Sequence, residues 1–246
     1  QALSKDGGHM LAFRHFTSPP LSQEQFRLRC PVWSKQSEKS RKGLQMATAQ
    51  VVADTFEVWR DKSIGKWLLE KRNPRLAELR ELFYRASPLI AHKRIETARR
   101  NRLAQIQENS ILEILTGIGW ERRPSKMIDK RADLPPKTFM YKTRFATNTT
   151  APQEVDIACG LLESYVLALE CKVTNDETNS VKRINDVLKK SSSWKAHWGS
   201  FVETAALLQG VIKPTDVQRL TDQGVHVFWS HDLERFSEWI SARTES

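Results

Sequence analysis

The chain has 246 residues, enough for one large domain or for a domain with an extension. It is 39% hydrophobic and 28% charged, so it can bury a core, but no stretch approaches the run of about 20 apolar residues that crosses a bilayer. The net charge of +10 favours a polyanionic partner, with nucleic acid ahead of a membrane surface. Cys30, Cys159 and Cys171 lack the even, dense pattern of a disulfide framework, which predicts a reducing cytoplasm.

The first third of the chain, residues 1–89, predicts a helical subdomain. Apolar residues recur at helical spacing over residues 44–69. Asn73-Pro74 interrupts this pattern, and a further helix is predicted over residues 75–84. Ser87-Pro88 then marks the start of another helix, so this region is predicted to consist of several separate helices.

A long basic helix is predicted from about residue 90 to residue 116. Gly117 and Gly119 end it, since glycine is the usual residue at a helix C-terminus. Arg99 and Arg100 belong to its basic half, which is ordinarily a solvated face. Beside a site that acts on nucleic acid, the same two arginines become candidates for phosphate contact.

After Gly119 the pattern changes from helical to mixed. A short strand is predicted over residues 120–123, and the basic, proline-containing stretch up to residue 150 is predicted to be an irregular loop. Two strands follow at 154–159 and 165–173, joined by a turn that begins at Gly160. The second strand is a nearly continuous apolar run, typical of a strand buried on both faces.

Helices and strands alternate over the rest of the chain. The predicted elements are a helix at 178–197, a strand at 201–211, a helix at 214–224, a strand at 225–230 and a final helix from 232. This alternation predicts an α/β fold with helices on the faces of a mixed sheet. We therefore expect an α/β core over residues 90–246, preceded by the helical subdomain.

Three charged residues stand inside the two apolar strands at 154–159 and 165–173. Asp156 lies near the middle of the first strand, and Glu170 and Lys172, two residues apart, share one face of the second. An antiparallel turn at Gly160 brings Asp156 beside Glu170. Two carboxylates at that distance repel each other unless a cation lies between them, and Mg²⁺ prefers such oxygen ligands.

Lys172 completes a catalytic pattern. An ammonium group inside an apolar strand is costly to bury without partners. Beside a metal ion it can position the attacking water and offset phosphate charge, so the three residues together favour hydrolysis of a phosphodiester. The structural alternative is a buried salt bridge between the two strands.

This pattern resembles the PD-(D/E)XK nuclease superfamily, with Val155 in place of the preferred proline. The resemblance implies that Asp156, Glu170 and Lys172 are catalytic, that the two acids hold Mg²⁺, and that the carbonyl of Cys171 adds a ligand. The superfamily often adds a glutamate from the preceding helix. Two residues of this chain match that role, Glu108 first and Glu113 as the alternative.

Segments of the last third of the chain resemble the XamI family of type II restriction endonucleases. These segments are residues 168–175, 178–185, 208–213 and 228–233, whereas the N-terminal third shows no such resemblance. The resemblance implies site-specific double-strand cleavage of DNA, a Mg²⁺ cofactor and a homodimer. Three rival functions stay open: a structure-directed repair or recombination nuclease of the same superfamily, an inactive DNA-binding relative, and a basic RNA- or membrane-associated scaffold. The last requires a purely structural role for Asp156, Glu170 and Lys172.

Amide, hydroxyl and cationic side chains crowd around the start of the helix that follows Lys172. Such a helix N-terminus suits phosphate groups and base edges, although ordinary helix capping is the alternative for its amide side chains. The candidates for DNA contact are Asn175, Asn179, Ser180, Lys182 and Arg183, together with Arg99 and Arg100.

Overall fold

The computed structural model describes residues 1–148, 151–162, 165–174 and 177–244. The chain divides into two compact units, Gln1–Ala98 and Arg99–Ser246. No helix in the described part of the chain combines the length and the apolar character needed to cross a membrane.

The first unit is helical. Its short helices are α1 (Ala2–Lys5), α2 (Met10–His15), α3 (Gln23–Arg29), α4 (Lys35–Ser40), α5 (Met46–Trp59) and α6 (Lys66–Leu69). Met10, Phe26 and Trp33 are buried together in its core. The helical pattern over residues 44–69 corresponds to two helices, α5 and α6, because the chain leaves α5 at Arg60 and turns through Gly65 at a φ of 73°. The Arg60 guanidinium donates to the carbonyls of Ile64 and Gly65 and so fixes this turn.

A single long helix, α7 (Leu76–Gly117), follows, and the boundary between the two units falls within it. The predicted break at Ser87-Pro88 is therefore wrong, since Pro88 lies inside the helix. Proline removes one backbone hydrogen bond and crowds the preceding turn, at a cost of about 3 kcal/mol. The flanking turns are rich in leucine, alanine, glutamate and arginine, whose high helix propensity favours a continuous helix.

The second unit is an α/β structure. Its strands are β1 (Glu121–Arg123), β2 (Met127–Ile128), β3 (Thr138–Phe145), β4 (Gln153–Gly160), β5 (Val166–Thr174), β6 (Val202–Gly210) and β7 (Val225–Trp229). Its helices after α7 are α8 (Glu177–Trp198), α9 (Pro214–Asp222) and α10 (Leu233–Ala242).

Over the described residues the strands form one mixed, seven-stranded sheet in the order β1-β3-β4-β5-β6-β7, with β2 also paired to β3. Strand β4 is antiparallel to both of its neighbours, β3 and β5. Strands β1 and β2 each pair with β3 in parallel, and β5, β6 and β7 also run parallel to one another. The expected α/β class, with a mixed sheet flanked by helices, is confirmed.

Strand β3 corrects the sequence analysis, which predicted an irregular loop up to residue 150. Phe139, Met140 and Phe145 of this strand are all buried. Its sequence lacks the usual strand pattern because Lys142, with a φ of 51°, interrupts the alternation of inward and outward side chains.

The helices pack on two faces of the sheet. Ile111 of α7 and Phe236 of α10 lie in one apolar cluster with Ile157 and Leu169 of the central strands. On the other face, Trp194 of α8 lies in a cluster with residues of β3, β4 and β5. Strands β4 and β5 are thus covered on both sides, and polar groups on them are shielded from bulk water.

Candidate active site

Asp156 lies where strands β4 and β5 separate. The paired residues run from Gly160↔Val166 to Ile157↔Leu169, and the next step in this register would set Asp156 opposite Glu170. Instead of continuing the ladder, the Cys171 backbone N–H donates to Asp156 Oδ2 at 2.9 Å. The backbone of β5 therefore holds the Asp156 carboxylate at the end of the paired region.

Glu170 and Lys172 lie on β5 beside this carboxylate. The Glu170 side chain is 0% exposed, and Lys172 Nζ donates to its Oε2 at 2.5 Å. Lys172 Nζ also lies 3.9 Å from Asp156 Oδ2 and 3.5 Å from Asp186 Oδ2 on α8. The three residues singled out in the sequence therefore come together, with the ammonium group between the two acids.

Lys190 of α8 is a member of the site that the sequence analysis missed. Its Nζ lies 3.0 Å from Glu170 Oε1 and 2.9 Å from Oε2, so Glu170 is held by two lysines. A signal for it exists in the sequence. Lys190 falls at helical spacing with Val187, Ser191 and Trp194, all buried, so a lysine occupies a position on the buried face of α8.

Glu108 of α7 joins the site through strand β3. Its side chain is 7% exposed, and the Tyr141 hydroxyl donates to its Oε2 at 2.6 Å. Lys142 Nζ donates both to Glu108 Oε1 at 2.5 Å and to Asp156 Oδ1 at 3.1 Å. The alternative, Glu113, is exposed on a different face of α7, so the structure brings only Glu108 of this pair to Asp156.

The pKa values of the central groups reflect burial and opposite charges. Burial by itself raises the pKa of Asp156, but the Lys172 charge and the Cys171 N–H outweigh it, and the pKa lies below its usual value. Burial raises the pKa of Glu170 more than its neighbouring lysines lower it. Burial alone would lower the pKa of Lys172, but Glu170 and Asp156 raise it above its usual value.

The family model described as XamI restriction endonuclease matches residues 1–229 of the chain. The chain belongs to the XamI restriction endonuclease family. It is therefore a type II restriction enzyme, a hydrolase that cuts within DNA. The match begins at residue 1, so it includes the N-terminal third, where the sequence analysis found no resemblance.

Two known proteins are similar to this XamI-family chain, one in sequence and one in part of its structure. The type II restriction enzyme XamI of Xanthomonas campestris pv. amaranthicola is 26% identical over 193 residues, which cover 77% of this chain and 67% of that enzyme. Among solved structures, protein VC1899 of Vibrio cholerae is 14% identical, with a TM-score of 0.36. That match covers 44% of this chain and only 29% of the other, and a TM-score this low adds nothing about the fold.

The polar groups of this XamI-family site suit a hard divalent cation. Asp156, Glu108 and Glu170 supply carboxylate oxygens, the ligands that Mg²⁺ prefers. Within the described residues, no three acidic, histidine or cysteine side chains are grouped closely enough to hold a metal ion as they stand. Instead, lysine ammonium groups contact the acids and balance their negative charge. The carboxylate oxygens are of the kind that Mg²⁺ prefers, so the donor set fits this ion.

Cys171 contributes its backbone rather than its thiol. The side chain is buried in the apolar cluster, and burial raises the pKa of the thiol well above its usual value, which keeps it protonated. In an extended strand the N–H and C=O of one residue point to the same side. Because the Cys171 N–H points to Asp156, its carbonyl oxygen points to that side too.

The candidates for DNA contact are placed differently from one another. Arg99 and Arg100 are exposed on α7, Asn179 and Lys182 are exposed on α8, and Arg183 is half-buried there. Asn175 lies outside the described residues.

Ser180 differs from the other candidates on α8 because it is fully buried. Its hydroxyl donates to Asp216 Oδ2 of α9 at 3.4 Å. The structure therefore places Ser180 in the packing between α8 and α9 and not on a surface that DNA could reach.

Proposed function

We propose that this XamI-family enzyme makes site-specific double-strand breaks in DNA by Mg²⁺-dependent hydrolysis, with Asp156, Glu170, Lys172 and Glu108 as catalytic residues. One observation carries the proposal. Carboxylates from three separate elements, α7, β4 and β5, converge on one shielded cluster that also contains the motif lysine. A merely structural salt bridge needs two charges, whereas this cluster brings together three lysines and four acids, with Asp186 as the fourth acid.

The residues of the cluster divide the work between them. Asp156 and Glu108 would hold the metal, with Glu170 and the Cys171 carbonyl as further oxygen ligands. A bound Mg²⁺ polarises the phosphate and offsets the charge that develops on it. Lys172 orients the attacking water and stabilises phosphate charge, a role that its contacts to both motif acids support. This arrangement has the order and spacing of the PD-(D/E)XK pattern.

Lys182 and Arg183 are proposed to bind the DNA backbone near this site. Asp186 of α8 contacts Lys172, and Lys182 precedes Asp186 by one helical turn, on the same face of the helix. A phosphate group beside Lys172 would therefore lie along the face that carries Lys182. Arg99, Arg100 and Asn179 stay proposals for DNA contact, as does Asn175, which lies outside the described residues.

A homodimer is the proposed active form. Cutting both strands of a two-fold symmetric sequence takes two active sites related by the same symmetry, and the described part of one chain contains one such cluster. A cytoplasmic location is also proposed. All three cysteines are buried and unpaired, which fits a reducing compartment.

The proposal is tested by incubating the protein with unmethylated phage DNA in Mg²⁺ or in EDTA and separating the products on a gel. Sharp bands that require Mg²⁺ are expected. Asp156→Ala and Lys172→Ala should abolish cleavage and keep the fold by circular dichroism, because each removes a group that touches the metal or the phosphate. Cleavage by either variant at the wild-type rate would refute the site assignment.

The two glutamates of α7 give a matched pair for the same assay. Glu108→Gln should lose at least a hundredfold in cleavage rate, about 2.7 kcal/mol of transition-state stabilisation, whereas Glu113→Gln should cleave as the wild type does. A smear in place of bands would indicate a structure-directed nuclease. Binding without any cleavage would indicate an inactive relative.

A further inference from the structure

Lys142 adopts a backbone conformation that is unusual for a residue inside a strand. Its φ is 51°, in the left-handed region that side chains with a Cβ rarely adopt. The residues on either side pair normally with β4, Tyr141 with Ile157 and Thr143 with Val155. Lys142 thus lies opposite Asp156 at an interruption in an otherwise regular ladder.

This interruption reverses the faces of the sheet to which the β3 side chains before and after it point. Phe139 and Phe145 are separated by an even number of positions, so regular alternation would put both on one face. Phe139 instead packs in the cluster with Ile157, whereas Phe145 packs in the cluster with Val155 on the opposite face. The irregular backbone at Lys142 and Asp156 is therefore built into the packing of both faces.

The segment between β1 and β2 fixes the backbone on both sides of this position. The Ser125 hydroxyl donates to the Lys142 carbonyl at 2.9 Å, and the Thr143 hydroxyl donates to the Lys126 carbonyl. Strained conformations persist where the surroundings determine them so fully, and they concentrate at functional sites. With the backbone of Lys142 in this conformation, its Nζ lies between Asp156 Oδ1 and Glu108 Oε1.

Lys142 is the most accessible of the three lysines in the cluster. Its side chain is 49% exposed, compared with 8% for Lys172 and 17% for Lys190. Its ammonium group can therefore leave the two carboxylates for solvent or for a nearby anion, whereas the other two are enclosed. A cation shared by two carboxylates also occupies the space where a divalent ion would bridge them.

We propose that Lys142 is an internal cation that occupies the metal position between Asp156 and Glu108 in the DNA-free enzyme. When DNA binds, the ammonium group moves to a backbone phosphate and vacates the position for the metal. This inference rests on the proposed function, since it takes Asp156 and Glu108 as metal ligands. Because metal and ammonium compete for the same oxygens, metal binding is weak without DNA and tighter with it, and DNA binding is tighter with metal to the same degree.

The test is calorimetric titration of Ca²⁺, an oxygen-preferring ion, into the purified protein in the absence of DNA. Lys142→Met should bind Ca²⁺ at least tenfold more tightly than the wild type, because the competing charge is gone. Lys142→Arg, which keeps a cation, should bind as weakly as the wild type. Adding a duplex that contains the mapped cleavage site should tighten Ca²⁺ binding at least tenfold in the wild type and less than threefold in Lys142→Met.

Lys137→Met is the matched control for this experiment. Lys137 is also a lysine in the left-handed region, with a φ of 57°, and it is exposed outside the cluster. Its substitution should leave Ca²⁺ affinity unchanged. If Lys142→Met does not fold, Lys142→Gly replaces it, because glycine tolerates the positive φ and lacks the ammonium group.

Two results would overturn different claims. Unchanged or weaker Ca²⁺ binding by Lys142→Met, together with binding that is lost in Asp156→Ala, would refute the role of Lys142 and leave the metal site intact. Ca²⁺ binding that does not depend on Asp156 at all would refute the proposed metal site itself, and the inference about Lys142 with it.

Discussion

At the scale of single residues, the buried charges of the candidate active site must balance one another. Glu170 is completely buried, and an isolated carboxylate in that environment would be strongly destabilised. Lys172 and Lys190 each donate to it, and Lys172 also approaches Asp156. The arrangement keeps charged groups in the interior, although a buried ion pair adds little to stability.

Lys190→Met tests how far Glu170 depends on its second lysine. The substitution leaves one oxygen of a buried carboxylate without its charged donor, so we expect a loss of about 1–3 kcal/mol in the free energy of unfolding, measured by urea denaturation. Cleavage should slow as well, because Glu170 would no longer be held in place. Lys189→Met, at the exposed neighbouring position on α8, should change neither quantity. Equal stability of the two variants would contradict this account.

At the scale of elements, the contact between β5 and β6 positions the site. These strands pair in parallel from Val166↔Val202 to Thr174↔Gly210, and β5 is buried along its whole length. Gly210 ends this pairing with a φ of 101°, and a Cβ added there would lie 1.9 Å from the Thr174 carbonyl oxygen. Only glycine fits, since it has neither the Cβ nor the restriction on φ.

Gly210→Ala should therefore destabilise the protein by about 1–3 kcal/mol, as overpacking does in other proteins. The matched control is Gly117→Ala at the end of α7, where an added Cβ would meet nothing within 4 Å and φ is not positive. That substitution should be neutral or slightly stabilising. Thermal unfolding of both variants followed by circular dichroism measures the difference. A Gly210→Ala variant as stable as Gly117→Ala would show that the ends of β5 and β6 are not closely paired.

At the scale of the whole molecule, the question is how many chains act on one DNA site. The described part of each chain contains one charged cluster. A type II restriction enzyme cuts within DNA, and under the proposed function each chain would supply one candidate site for one strand. The net charge of +10 favours close approach to the phosphate backbone and makes the affinity sensitive to salt. Two chains on one two-fold symmetric sequence would account for both strands.

Mixed dimers of wild-type and Asp156→Ala chains test this assembly. If each active site cuts one strand, mixed dimers should nick a plasmid with one target site, and open circles should accumulate on an agarose gel. Mixing of wild-type chains with Lys137→Met chains should give linear product at the wild-type rate. Linear product alone from the mixture with Asp156→Ala, at half the wild-type amount, would show that each enzyme unit cuts both strands without its partner.

The α/β core and the proximity of Asp156, Glu170 and Lys172 could be predicted from the sequence. These features depend on local pattern, because a strand alternates with period two and a short turn folds β4 back on β5. The sequence resemblance left Glu108 and Glu113 as alternatives, and the packing of the elements selected Glu108 and added Lys142 and Lys190. Those residues lie on α7, β3 and α8, and they meet only because helices pack on opposite faces of the sheet and Lys142 adopts a positive φ. Helical spacing puts Lys190 on the buried face of α8, but no periodic signal in the chain shows which carboxylate it meets or that Lys142 adopts a positive φ.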